Sequence, residues 1–376
     1  MAKKLRIGVI FGGRSGEHDV SIRSAASVIE AIDRKKYDVV PIAISPEGKW
    51  LSPAAAFQLL PGNAQSLLPA KTGAGPQGPV AILGDPSRSG LLSIDSSASS
   101  QKLDVVFPVL HGPFGEDGTI QGLLEMANIP YVGCGVLASA CGMDKVAMKL
   151  LFLQAGLPMC KYVWFLRTQW QADRAKIIKT IKRQLGLPCF VKPANLGSSV
   201  GVSRANDKKS LERAVELAAQ YDRKIVVEEA VDAREIECAV IGNNEPKASL
   251  PGEYVIYDKS ASFLDYTEKY TTTGHVEFVV PAPLSKQLST RIQKMAIQAF
   301  QSIDGAGLAR VDFFLKRDSN ELLINELNTM PGLTEVSGYP KMWAASGLSY
   351  TRMLDLLVEL AQERHREKSL NKTERS

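Results

Sequence analysis

Two apolar runs joined by a polar turn constrain this chain more than any other feature: residues 308–315 and 321–327, within LARVDFFLKRDSNELLINELNTMPGL. Both read as β-strands, and residues two apart on a strand share a face. Arg310 therefore pairs with Asp312 in ARVDFF, and Glu326 with Asn328 in INELN. Neighbouring strands would aim all four side chains at one point. Asp312, Glu326 and Asn328 bring oxygen donors with no Cys or His among them, a hard site suited to magnesium. An arginine beside them suits a transferring phosphate or a developing oxyanion. Either pair alone is also what two half-solvated strands would show. Both together, followed at once by Pro331 and Gly332, favour a site.

A length of 376 residues is ample for two or three domains, and 45% hydrophobic with 23% charged residues is the composition of an ordinary globular protein. The net charge of +5 comes from 45 basic and 40 acidic residues spread along the chain, which leaves no basic stripe of the kind that tracks nucleic acid. Part of it lies in the tail over 364–375, expected to be a solvated, frayed helix end. Cys134, Cys141, Cys160, Cys189 and Cys238 are odd in number and lack metal-ligand spacing, so they read as buried free thiols of a reducing compartment. The opening MAKKLRIGVIFGG carries an apolar run too short for a signal peptide and reads as a first strand. No apolar stretch approaches the ~20 residues of a membrane span.

The pattern predicts a β-α-β opening: a strand over 5–11, a turn at Gly12, Gly13 and Gly16, a helix over about 21–32 and a strand over 39–44. Residues 46–100, rich in Ala, Gly, Pro and Ser, form either an embellishment with short strands or a long surface excursion. A buried strand over 103–110 leads into HGPFGEDGTIQGLLE and a helix ending near Asn128. A second unit follows, with helices over 144–155, 170–185 and 208–221, strands over 162–165, 189–192 and 225–229, and the loop ANLGSSVG. The remainder carries strands over 236–241, 247–257 and 276–280, the opening pair, and helices near 285–302 and 351–366. Residues 258–275 are a polar, aromatic-bearing stretch of a length that is functional or disordered.

FVKPANLGSSVG places Lys192 at the end of a buried strand, before Gly197, Ser198, Ser199 and Gly201, whose backbone N–H groups can approach a ligand closely. That arrangement suits a triphosphate, although ordinary turns share the composition and no Gly-Lys-Ser/Thr ends it as in the Walker pattern. Lys145 in GMDKVAMK heads a helix, where a cation opposes the dipole unless an anion compensates. KIVVEEAVDAREIEC gives Glu228 at a strand end, a turn, and Glu235 on the next strand. A carboxylate there could accept from an adenine amino group or a ribose hydroxyl while the backbone at Ala230 and Val231 reads the base edge; the alternative is a solvated charged hairpin. Glu17 in FGGRSGEHDVS stands before a helix N-terminus, either as a dipole or capping partner or as the anchor of a substrate ammonium. His18 and His111 sit in similar loops without a third partner at nucleophile or metal spacing, and read as polar loop residues.

FGGRSGEHDVS, HGPFGEDGTIQG, MDK, KPANLGSSVG, EKY, ARVDF and NELNTMPGLTEVS, in that order, resemble the D-alanine–D-alanine ligases of peptidoglycan synthesis, within the ATP-grasp ligases. The resemblance spans residues 6–342. It implies an α/β chain of α+β modules in the ATP-grasp fold with an N-terminal parallel-sheet, Rossmann-like domain. The implied division is 1–133 for substrate binding, 134–227 for the central unit and 228–376 for the catalytic unit, whose lid is 258–275. It further implies ATP between the last two units, with Lys145, Lys192 and Ser199 at the phosphates and Glu228, Ala230, Val231 and Glu235 at the adenosine. Asp312, Glu326 and Asn328 would hold two magnesium or manganese ions.

In the reaction so implied, the carboxylate of one D-alanine attacks the γ-phosphorus to form an acyl phosphate. The amine of a second D-alanine then attacks it through a tetrahedral intermediate whose oxyanion meets Arg310 and the Gly332 N–H. The resemblance assigns Glu17 to the first substrate's ammonium, and Ser198 and Tyr270 to a hydrogen-bonded link with it. Lys269 and Ser337 would approach the second substrate's carboxylate and the phosphate, and the lid would keep water from the acyl phosphate. Two rivals stand beside this reading. One is a ligase that adds D-lactate or D-serine, or another ATP-grasp carboxylate–amine ligase, against which Tyr270 and the composition of its loop speak; the other is a non-catalytic nucleotide-binding scaffold, against which the intact Arg310, Asp312, Glu326 and Asn328 speak. The expected form is a cytoplasmic homodimer with ATP and two D-alanines as partners, without nucleic acid or membrane.

Overall fold

In the computed structural model, which describes residues 3–68, 76, 78–95, 100–256 and 276–372, the described residues form four sheets. β1 (Leu5–Gly12), α1 (His18–Ala31) and β2 (Tyr37–Ile44) make the expected β-α-β opening, with β1 parallel to β2 and buried from Ile7 onward. A strand buried on both faces is what parallel neighbours demand. β3 (Trp50–Leu51) turns back antiparallel on β2, and α2 (Pro53–Leu59) and α3 (Gly62–Ser66) follow. Of the two forms expected for 46–100, the described residues take the embellished one: β4 (Val80–Ala81), β5 (Leu91–Ser93) and β6 (Ser100–Gln101) pair into a small antiparallel sheet. β7 (Val105–Pro108) returns parallel to β1, giving the order β3-β2-β1-β7, and α4 (Thr119–Met126) follows.

The middle of the chain begins with α5 (Val136–Met143), a helix that the pattern hid because apolar Val136 and Leu137 lie exposed and blur its polar face. α6 (Lys145–Gln154) starts at Asp144, whose Oδ1 accepts from the N–H groups of Val146 at 3.0 Å and Ala147 at 3.1 Å. After β8 (Tyr162–Leu166), the single helix expected over 170–185 is two, α7 (Arg167–Ala172) and α8 (Arg174–Gln184). Asp173 breaks it, because its carboxylate accepts from the Lys176 N–H at 2.9 Å and so caps the second helix. β9 (Cys189–Pro193), β10 (Ser203–Ala205), α9 (Lys208–Tyr221) and β11 (Lys224–Glu229) complete an antiparallel sheet of order β10-β9-β11-β8.

The largest sheet, of order β15-β14-β12-β16-β17, is built from β12 (Ala233–Gly242), β13 (Lys247–Ala248), β14 (Gly252–Ile256), β15 (Val276–Val279), β16 (Gly307–Lys316) and β17 (Leu322–Asn328), with β13 beside β12. The one strand expected over 247–257 is broken into β13 and β14. Pro251 has no N–H for the ladder, and the Leu250 N–H donates to Ser346 Oγ at 2.8 Å instead of to a strand. α10 (Lys286–Ser302), α11 (Gly338–Ala345) and α12 (Tyr350–Lys368) pack around this sheet. α11 escaped the pattern because Gly338 and Pro340 read as a turn, yet Pro340 falls in its first turn, where its missing N–H costs nothing.

The expectation of a solvated tail over 364–375 is overturned for its first part. Arg364 donates to the carbonyl oxygens of Gly133 and, at 3.0 Å, of Tyr131, with its guanidinium 4.3 Å above the Tyr131 ring. His365 Nε2 lies 3.0 Å from Asn128 Oδ1, and Lys368 pairs with Glu125. These charges end on the backbone and acids of the N-terminal unit, which a helix-surface pattern cannot show. Arg364→Ala should therefore cost about 1–3 kcal/mol, read as a lowered thermal midpoint; a midpoint equal to wild type would show that α12 docks through its apolar face alone.

One apolar core joins the N-terminal sheet to the largest sheet through Phe11, Val105, Ala239, Leu308 and Tyr339. A second lies beneath the largest sheet, with Phe152, Phe300 and Phe313. The central sheet keeps its own, with Trp170, Val191 and Ile225. Among the described residues no helix is long and apolar enough to cross a membrane.

Candidate active site

A cleft of about 390 Å³ opens where the central sheet faces the largest one, bordered by Lys145, Lys192, Ser199, Glu228, Glu235 and Glu326 among others. At one end of it the register of β16 and β17 sets Arg310 opposite Asn328 and Asp312 opposite Glu326. The ladder slips just after Asp312, a bulge of the kind that re-aims side chains. β12 adds a third acid to the row, since Glu237 lies opposite Asp312. The Arg310 fork donates from Nε to Asp312 Oδ1 and from Nη2 to Oδ2, both at 2.6 Å, and its Nε is 3.2 Å from Glu237 Oε1. Asn328 Oδ1 is oriented by the Met330 N–H at 2.8 Å.

Opposite this row stand the lysines. Lys145 opens α6, donates from Nζ to the Leu196 carbonyl at 2.6 Å and lies 4.0 Å from Glu326 Oε2. That contact ties the helix start to the Gly/Ser loop. Within the loop Ser198 and Ser199 hold positive φ of 51° and 57°, a left-handed conformation that non-glycine residues adopt at a cost and that clusters at ligand sites. Gly201 has φ 72°, and a Cβ there would fall 2.9 Å from the Tyr221 ring. Lys192 Nζ is 2.6 Å from Glu228 Oε2, and Lys149 takes the other oxygen at 2.9 Å. Glu228 is thus no solvated hairpin charge. The Ala230 N–H donates to the Pro188 carbonyl at 3.3 Å, while Val231 and Glu235 border the cleft.

Beyond the loop lies Glu17, which makes no side-chain cap to α1. Its carboxylate accepts instead from Ser198 Oγ, on the far side of the cleft's Gly/Ser loop, so the capping reading falls away. Gly112 leaves room for it, as a Cβ there would come within 2.8 Å of Glu17 Oε2. His111 lies 3.1 Å from the Met330 carbonyl, 3.2 Å from Ser24 Oγ and 3.5 Å from Glu116 Oε1, and His18 lies 2.9 Å from the Gly13 carbonyl. Both histidines serve their loops. Gly332 sits against Ser337, whose Oγ is 2.6 Å from Thr334 Oγ1. Lys269, Tyr270 and the stretch 258–275 lie outside the described residues.

Family models described as "D-ala D-ala ligase N-terminus" and "D-ala D-ala ligase C-terminus" match residues 6–134 and 151–359. The chain belongs to the D-alanine–D-alanine ligase family. It is 47% identical over 374 residues to the D-alanine–D-alanine ligase of Natranaerobius thermophilus, covering 99% of both chains. It is 48% identical over 376 residues to that of Heliobacterium modesticaldum, covering 99% of this chain and 98% of the relative. Among solved structures it resembles the D-alanine–D-alanine ligase of Coxiella burnetii, with TM-score 0.81, 36% identity and coverage of 98% of this chain and 97% of that one. The VanG D-Ala:D-Ser ligase of Enterococcus faecalis has TM-score 0.81 and 38% identity, covering 96% of this chain and 100% of that one. The fold is that of the ATP-grasp ligases, as expected.

The donor set of this family member suits magnesium. Among the described residues no three His, Cys, Asp or Glu side chains gather at metal spacing, but magnesium is held by one or two carboxylates with phosphate oxygens and water completing its shell. Asp312 and Glu326, cross-strand neighbours with the Asn328 amide on the same face, fit that chemistry.

Burial governs the charges of the site. It would lower the Arg310 pKa, but Asp312 and Glu237 outweigh it and hold the guanidinium charged. Burial lowers Lys145, whereas at Lys192 the same burial is outweighed by Glu228 and Glu326 and the pKa rises. Burial and then Glu116 push the Glu17 carboxyl up, against the Ser198 hydrogen bond. At Glu228 burial would raise the pKa, but Lys149 and Lys192 bring it down to about 2. A carboxyl depressed on folding stabilises fully above its ordinary 4.5 and loses that contribution as pH falls through about 2. The stability gap between wild type and Glu228→Gln in urea should therefore be widest above pH 4.5 and narrow towards pH 2; a gap independent of pH would contradict the ion triad.

Lys149, Glu237 and Glu116 were not singled out from the sequence. Lys149 follows Lys145 by one helical turn and Glu237 follows Glu235 by one strand repeat, so helix and strand periodicity carried both signals.

Proposed function

We infer that this chain is an ATP-dependent ligase joining two D-alanines into D-alanyl-D-alanine through a D-alanyl phosphate, with release of ADP and phosphate, for peptidoglycan precursor synthesis. The observation that carries the reading is the quartet of Arg310, Asp312, Glu326 and Asn328 facing Lys145. Lys145, Lys192 and the left-handed backbone at Ser199 receive the polyphosphate, and Glu228, Val231 and Glu235, which border the cleft, receive the adenosine together with the backbone of Ala230 between them. Asp312, Glu326 and Asn328 would hold two magnesium or manganese ions, which would neutralise charge on the polyphosphate.

Glu17, joined to Ser198, takes the ammonium of the first D-alanine and leaves its carboxylate facing the γ-phosphate. A carboxylate oxygen attacks phosphorus and ADP departs. The neutral amine of the second D-alanine, its own carboxylate near Ser337, attacks the acyl carbon. Arg310 and the Gly332 N–H donate to the oxyanion, and collapse expels phosphate. No protein nucleophile is needed.

We divide the chain functionally into 1–133 for substrate binding, 134–227 for the central unit and 228–376 for the catalytic unit. We place the enzyme in the cytoplasm as a homodimer acting on small molecules, where ATP is made and the five free cysteines stay reduced. Labelled D-alanine offered with ATP and an equal amount of D-serine or D-lactate tests the substrate assignment. D-Alanyl-D-alanine should be the main product by chromatography; a mixed dipeptide or depsipeptide as main product would overturn it.

A further inference from the structure

Lys149 is a lysine with a side chain only 2% exposed, and nothing in the reaction described above uses it. It lies on α6 one turn after Lys145, with Nζ 2.9 Å from Glu228 Oε1, 3.5 Å from the Asn325 carbonyl and 5.5 Å from the centre of the Tyr162 ring. Lys192 holds the other oxygen of the same carboxylate at 2.6 Å. The two cations differ in reach. Lys192 and Glu228 border the cleft, and Lys149 stands behind the carboxylate, away from it. A buried carboxylate needs a partner at all times, and one lysine would serve that purpose. Lys192, however, is the lysine assigned above to a nucleotide's phosphates, and on engaging them it would leave Glu228 without its counter-charge unless a second cation stayed in place.

We propose that Lys149 is a positioning residue that keeps Glu228 fixed and negatively charged as an acceptor for the exocyclic amino group of adenine, whatever Lys192 is doing, and so sets the preference for adenine over 6-oxopurine nucleotides. This deepens, and rests on, the assignment of Glu228 to the adenosine. An acceptor-only carboxylate can take a hydrogen bond from an amino group and repels a carbonyl oxygen at the same place. Its aim is set by the ammonium behind it. Lys149 itself touches no substrate.

The test compares ATP with inosine triphosphate in wild type, Lys149→Met, Lys149→Arg, Glu228→Gln and the Lys149→Met/Glu228→Gln double variant. For Lys149→Met the KM for ATP should rise on the order of tenfold with kcat within about threefold, and the ATP-to-ITP ratio of kcat/KM should fall on the order of tenfold, the size of one charged hydrogen bond. Lys149→Arg should recover most of both. In the Glu228→Gln background, removing Lys149 should change the ratio no further. If Lys149→Met does not fold, the double variant against Glu228→Gln decides, because it buries no unpaired carboxylate; a further loss of selectivity there would overturn the proposal. A Glu228→Gln enzyme with the wild-type ratio would remove the adenosine assignment and the proposal with it. A Glu228→Gln enzyme that loses selectivity beside a Lys149→Met enzyme that keeps it, or that loses kcat equally with both nucleotides, would show Lys149 to be structural.

Discussion

Asp312→Asn and Glu326→Gln should each reduce ligation on the order of 10³-fold or more while the protein stays folded. The two carboxylates face each other across β16 and β17, with Lys145 4.0 Å from Glu326. An oxygen-only donor pair stabilises transferring phosphate by several kcal/mol when it holds a divalent ion, and each ~1.4 kcal/mol is tenfold in rate. An amide keeps the shape and loses the charge. Asp312→Asn also removes the fork that Arg310 grips, but Glu237, 3.2 Å from Arg310 Nε, keeps that cation paired and the fold intact. Thermal midpoints near wild type should accompany the loss of turnover. Full turnover in excess EDTA, or variants within a few-fold of wild type, would show the acidic row to be structural.

Arg310→Lys should lower turnover on the order of 10²-fold, with little change in adenine nucleotide binding. The guanidinium makes two parallel bonds to Asp312 while meeting Glu237, a geometry that a single ammonium cannot reproduce. Losing one donor to a developing oxyanion costs 10²–10³-fold in well-studied cases. A variant within about threefold of wild type would make Arg310 a salt-bridge partner of Asp312 and nothing more.

The strand repeat that brought Arg310, Asp312, Glu326 and Asn328 together was legible in the sequence because it is local: period two fixes the face, and a short turn makes the strands neighbours. Glu237 has the same period with Glu235, but that β12 lies against β16 is a long-range fact that no window of sequence contains. Glu17 and Ser198 sit 181 residues apart and meet in space, a link that came from the ordered motifs of the family and not from periodicity. The misses are of two kinds. α5 and α11 are short helices whose exposed apolar residues or whose Gly and Pro imitate turns. The sequence around Asp173 fits a helix surface, and the charges of Arg364, His365 and Lys368 fit a solvated tail, yet each has a specific backbone or side-chain partner.

Transfer of the γ-phosphate should depend on D-alanine. A coupled assay should show phosphate release from ATP that depends on D-alanine, with one phosphate formed per D-alanyl-D-alanine and negligible release without the amino acid. Phosphate released at the same rate in the absence of D-alanine, or D-alanine consumed without dipeptide, would contradict it.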